Sequence, residues 1–211
     1  MNRNRKHGIG KAAILLLALV LVFTAALAGC GSQDDSARTD SDASGGTSAT
    51  GESSAEELGS LKHFSAKTLD GGTFTEKDLA EKDVTVINVW QISCSSCISE
   101  MPYVAEFASS LPDNVQVVTL CLDGSAEKDT ARSMLKDAGF DGITLLDETG
   151  DLSTVVGNIQ YTPTTVVADS KGNLTDAIVG SRGSRDAVSE AYLEAVNNTL
   201  KAEGKKEIEL E

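Results

Sequence analysis

The chain has 211 residues, with 18 Lys plus Arg against 32 Asp plus Glu, 4% aromatic residues, four cysteines and two histidines. A formal charge of -14 and so few aromatic residues exclude a basic nucleic-acid reader; the scattered cysteines exclude a disulfide-scaffolded mini-protein and a clustered zinc or haem site. What is left is a single soluble acidic domain with a hydrophobic front.

That front reads as an export signal. Arg3, Arg5, Lys6 and Lys11 precede an apolar run from Ala12 to Ala28 that only Thr24 interrupts, and the small residues Ala28 and Gly29 follow. Leu27-Ala28-Gly29-Cys30 resembles the lipobox of bacterial lipoproteins, which implies cleavage after Gly29 and a lipid on Cys30. The alternative is an uncleaved membrane anchor, for which the run is just short of the roughly 20 residues needed to span ~30 Å of hydrocarbon. Both readings put the remainder outside the cytoplasm, at the extracytoplasmic face of a bacterial membrane.

Gly31 to Ser60 holds five Gly, eight Ser, three Thr and seven acids, with no aromatic residue. Such a segment buries too little apolar surface to offset its ordering entropy and is expected to be a disordered tether. Its mean reach is on the order of 30 Å, from about 5 to 6 Å times the square root of its length. The expected organisation is therefore a signal peptide over 1–29, a lipidated tether over 30–60, a globular domain over 61–201 and a charged tail over 202–211.

Within the domain, Val84 to Trp90 and Val115 to Leu122 are β-branched runs too short for helices, as expected of strands buried on both faces of a sheet. Helical patterns cover Ile98 to Leu111, Ser125 to Ala138 and Arg185 to Lys201; the last carries Ala187, Val188, Ala191, Tyr192, Ala195 and Val196 as its expected buried stripe. Thr164 to Ala168 and Leu174 to Val179 flank a turn at 169–173 and read as a hairpin. This order predicts an α/β fold: a central mixed sheet with helices on both faces.

Chemistry concentrates at Cys94-Ser95-Ser96-Cys97, after the first buried strand and at a helix start. Two cysteines three apart can form a small disulfide, and unpaired N–H groups at a helix start favour a thiolate on the first of them. Half a zinc site is the competing reading of the spacing. It lacks two further ligands, since only His63 and Cys121 remain in the domain, and no metal is expected.

Around this pair the chain resembles the TlpA-like and ResA-like thiol-disulfide oxidoreductases of the thioredoxin superfamily. The resemblance rests on Asn88-Val89-Trp90 before the pair, Glu100-Met101-Pro102 after it, Tyr161-Thr162-Pro163-Thr164 further on, and Leu69 to Phe74, which is similar to the added N-terminal β-hairpin of that branch. It implies a thioredoxin-like fold, a redox-active Cys94–Cys97 disulfide, a cis bond before Pro163 and a kink at Pro102. Ser93 and Ser96 depart from the Trp and Pro usual in the family, so redox potential and direction do not carry over.

In the mechanism that the resemblance implies, Cys94 exchanges with a partner sulfur and Cys97 resolves the mixed disulfide. Glu100 moves a proton at the resolving thiol, against the competing reading of an exposed helix glutamate, and the Thr162–Pro163 segment binds an extended substrate. Trp90 is expected as core packing beneath the site, and Cys121 as inert core, because free cysteine is commonly fully buried. The expected enzyme needs no cofactor and works as a monomer. It reduces specific extracytoplasmic protein disulfides and draws on a membrane electron donor, with no nucleic-acid partner. The competing function is a thioredoxin-fold binding or adaptor module whose disulfide is structural.

Overall fold

A computed structural model describes residues 59–210; the expected signal peptide, Cys30 and nearly all of the tether lie outside these residues. Chain order is β1 (Ser65–Thr68), β2 (Thr73–Thr75), α1 (Glu76–Ala80), β3 (Val84–Trp90), α2 (Ser95–Ser109), β4 (Val115–Cys121) and α3 (Lys128–Asp137). β5 (Thr144–Leu146), α4 (Ser153–Val156), β6 (Thr164–Asp169), β7 (Leu174–Val179) and α5 (Arg185–Ala202) follow. The strands form one seven-stranded sheet in the order β2-β1-β5-β4-β3-β6-β7. The sheet is mixed: β4 runs parallel to β3 and β5, while β6 is antiparallel to β3 and β7.

β3 lies at the heart of this sheet, and every one of its residues is buried. Its alternation sorts the core into two layers. Val84, Val86 and Trp90 point into a cluster closed by Met101 and Val104 of α2, Ala131 and Leu135 of α3, and Val188 and Val196 of α5. Ile87 and Val89 point into a second cluster with Phe74, Leu79 of α1, and Leu152 and Val155 at α4. Each fully buried aliphatic side chain contributes about 1.5–3 kcal/mol, so β3 tolerates the polar Asn88 provided that its amide is hydrogen-bonded.

The N-terminal hairpin is present. β1 and β2 pair antiparallel with Ala66 opposite Phe74, Gly71 takes a left-handed φ of 88° in the turn, and β1 also pairs with β5. Thr75 and Asp78 form a reciprocal capping box that starts α1. At the other end of the chain, residues after α5 fold back. Asn197 donates to the Ile208 carbonyl and accepts from its N–H, and Ile208 and Leu210 rest on the first core cluster.

Candidate functional site

Cys94 caps the N-terminus of α2. Its backbone is extended (φ -89°, ψ 100°), and its sulfur accepts the Cys97 N–H at 3.2 Å. Donation from the first turn, together with the helix dipole, is the arrangement that favours a thiolate at this position. Cys94 and Cys97 are joined as a disulfide; Cys97 is buried, whereas Cys94 is partly exposed beside the exposed Ser93, Ser95 and Ser96. A partner sulfur therefore meets Cys94 first.

The loop that presents Cys94 is tied from two sides. Asp123, just past β4, accepts the Ile92 N–H at 2.9 Å, and Gln91 Oε1 accepts the Thr162 hydroxyl at 3.2 Å. The Thr162–Pro163 bond is cis, and it brings the Thr162 carbonyl oxygen to 3.5 Å from Cys94 Sγ. Proline presents no N–H. The Pro163 carbonyl is taken up by the Gly180 N–H at 2.9 Å. The structure thus places Cys94 Sγ beside the Thr162–Pro163 backbone, with its disulfide partner Cys97 buried.

Glu100 lies on the buried face of α2 with Cys97 and is 3% exposed, so it is no surface helix glutamate. Its Oε2 accepts the backbone N–H of Arg182 at 2.6 Å, and its Oε1 accepts the Tyr192 hydroxyl at 3.4 Å. The Tyr192 oxygen is 2.6 Å from Thr165 Oγ1, and the Asn88 amide donates to both of them at 3.0–3.1 Å. A buried polar chain therefore links α2, α5, β6 and β3 beside the disulfide. Burial, and then the neighbouring Glu100 carboxylate, push the Tyr192 phenol above its usual range, which keeps it a proton donor.

Trp90 is buried in the first cluster, and Pro102 stands inside α2. Cys121 ends β4 directly opposite Trp90, fully buried, with its sulfur 3.5 Å from Asp123 Oδ1. His63 is exposed, and among the described residues no cluster of His, Cys, Asp or Glu is placed to hold a metal ion. Sequence reasoning missed the parts that Gln91, Asp123, Thr165, Arg182 and Tyr192 play. Tyr192 was legible only as core stripe, and Arg182 acts through its backbone, which no side-chain pattern reveals.

Comparisons with known proteins agree with this geometry. The Redoxin family model matches residues 57–196. The thioredoxin-like protein YneN of Bacillus subtilis (strain 168) is 31% identical over 120 residues, covering 56% of this chain and 68% of YneN. The thiol-disulfide oxidoreductase YkuV of the same organism is 29% identical over 115 residues, covering 53% of this chain and 77% of YkuV. Among solved structures, MTB DsbF in its mixed oxidised and reduced forms superposes with a TM-score of 0.54 at 26% identity, over 65% of this chain and 98% of DsbF. The chain belongs to the Redoxin family, as a TlpA/ResA-like thiol-disulfide oxidoreductase of the thioredoxin superfamily.

Proposed function

We propose that this chain is a membrane-tethered, extracytoplasmic enzyme that reduces particular protein disulfides. The observation that carries the reading is the placement of Cys94: a helix-capping sulfur, partly exposed, held between the Cys97 N–H and the carbonyl beside cis-Pro163. In the reduced enzyme, the Cys94 thiolate attacks one sulfur of the substrate disulfide, and the other leaves as a thiolate that takes up a proton. Cys97 gives up its proton and attacks Cys94 Sγ. This expels the second substrate sulfur as a thiolate, which is protonated in turn, and closes the Cys94–Cys97 disulfide. Two electrons have passed to the substrate, and a dithiol donor at the membrane returns them.

Glu100 is the group proposed to take the Cys97 proton, since it is a buried carboxylate on the same helix face. The Thr162 backbone pairs with the substrate chain while its cysteine is bound to Cys94. Export and tethering rest on the basic, apolar and lipobox order ending at Cys30 and on the Gly/Ser/acid composition after it.

A Cys97→Ser variant tests the reading, because the mixed disulfide then has no resolving thiol. The reduced full chain should accumulate partners bonded through Cys94 and release them with a dithiol. A CxxC that stays oxidised in strong reductant, with no trapped partner, would instead make the domain a binding or adaptor module.

A further inference from the structure

We propose that Met134 is an oxidation site, where a peroxide converts the thioether to a sulfoxide whose new oxygen accepts the Trp90 indole N–H. The two residues meet at a cavity of about 10 Å³ between α2 and α3, lined by Trp90, Ile98, Met101, Met134 and Leu135. Trp90 is 1% exposed, and its Nε1 is the one buried side-chain nitrogen or oxygen without a hydrogen-bond partner among the described residues. A buried indole N–H ordinarily finds an acceptor, so an orphan of this kind calls for an explanation.

Composition narrows what the acceptor is. The chain has one Trp and three Met, and Met1 falls in the expected signal peptide, so both methionines of the domain line this cavity. The lining side chains offer no acceptor beyond the two thioether sulfurs, which accept only weakly. A cavity of this volume holds about one water-sized oxygen, but a water needs several polar partners. An oxygen bonded to sulfur needs only the donor that Trp90 supplies.

The two sulfurs differ in access. Met101 is 3% exposed on the buried face of α2, whereas Met134 is only partly buried on α3, so an oxidant from solvent reaches Met134 first. In the step, Met134 Sδ attacks one oxygen of hydrogen peroxide and the O–O bond breaks. The proton of the attacked oxygen passes to the departing hydroxide, which leaves as water; sulfur is oxidised by two electrons and the peroxide reduced by two. A sulfoxide commonly disrupts an apolar core because its oxygen is buried without a donor. Here the new oxygen instead satisfies an existing orphan. The change is felt near the thiols: Trp90 shares its core layer with Cys97, and Ile98 of the same lining donates its N–H to the Cys94 carbonyl at 3.1 Å.

The test treats the full chain, its Cys94–Cys97 disulfide closed, with hydrogen peroxide. Peptide mass mapping should find Met134 sulfoxide forming at least tenfold faster than Met101 sulfoxide. Trp90 is the single source of an indole N–H resonance, which should move downfield in the isotope-labelled chain in proportion to the Met134 sulfoxide formed. Met134→Leu conserves volume and should fold, and its indole resonance should not respond to peroxide. No reaction at Met134, equal reactivity of the two methionines, or a Met134 sulfoxide that leaves the indole resonance in place or moves it upfield would overturn the inference. So would a resonance that moves equally in Met134→Leu.

Discussion

Glu100 and Cys121 are both buried, yet only Glu100 is given a part in the proposed exchange. The Glu100 carboxylate has two donors, and a glutamine can keep both contacts: its oxygen accepts from Arg182 N–H while its amide donates to the Tyr192 oxygen, whose own proton turns to Thr165. Glu100→Gln should therefore fold normally, exchange up to about 10²-fold more slowly with a dithiol donor, and show a displaced pH optimum. Rates measured from pH 5 to 9 check this, and an unchanged profile would reduce Glu100 to packing. For Cys121, burial first and the Asp123 charge second push the thiol up to about 12, leaving almost no thiolate at neutral pH. We expect iodoacetamide to leave Cys121 unmodified in the oxidised native domain, and Cys121→Ala to keep full reductase activity. Rapid labelling, or a mapped bridge from Cys121 to Cys94 or Cys97, would make it part of the redox machinery.

Elements with a long pattern were legible in the sequence, and those without one were not. β3, β4 and α5 announce themselves by unbroken β-branched runs or a repeated apolar stripe, and they appear within one residue of expectation. β5 and α4, with three and four residues, are too short to express any period, so only their neighbours reveal them. α2 begins at Ser95 rather than Ile98 because Cys94 supplies the cap. α3 begins at Lys128 rather than Ser125 because the Glu127 N–H closes a turn on Gly124 instead of opening the helix. The charged tail conceals its docking: Ile208 and Leu210 sit among acids and lysines, yet Asn197 clasps the Ile208 backbone. Lys205 reinforces this by bonding Asp83 at 2.8 Å, and that bond first, then the one from Asn114, holds the Asp83 carboxyl below its usual range. A depressed carboxyl stabilises the fold above about pH 3.9 and loses that contribution as pH falls through its folded value. Both side chains are about one-third exposed, so the gain is below ~1 kcal/mol. Asp83→Asn should lower the urea midpoint slightly at pH 7, and the difference should vanish in acid; an equal gap at both pH values would remove the ion pair from the account.

Strand register relates the site to the chain's point of attachment. Val89 pairs with Thr164, and Thr164 with Val179, at the end of the sheet where Cys94 emerges. Val84 pairs with Asp169 at the opposite end, where the β6–β7 turn carries Asn173 and its bridge to Ser60. The domain thus leaves its N-terminal segment at one end of the central strands and offers its thiols at the other, about 20 Å away for a strand of seven residues. This polarity would suit the tethered reductase proposed above: a tether anchored at Cys30 would enter the domain at the end remote from the CxxC, and the net negative charge would oppose contact with anionic lipid. If the anchor is the lipid on Cys30, Cys30→Ser should move the chain from the detergent phase to the aqueous phase after export. Reduction of a small disulfide should proceed at the parental rate, because Cys30 is remote in sequence from every group around the thiols. Mass analysis of the parental chain should show acylated Cys30 as its first residue. An unmodified Cys30 still joined to residues 1–29 would make the apolar run an uncleaved anchor, and the variant would then stay with the membrane.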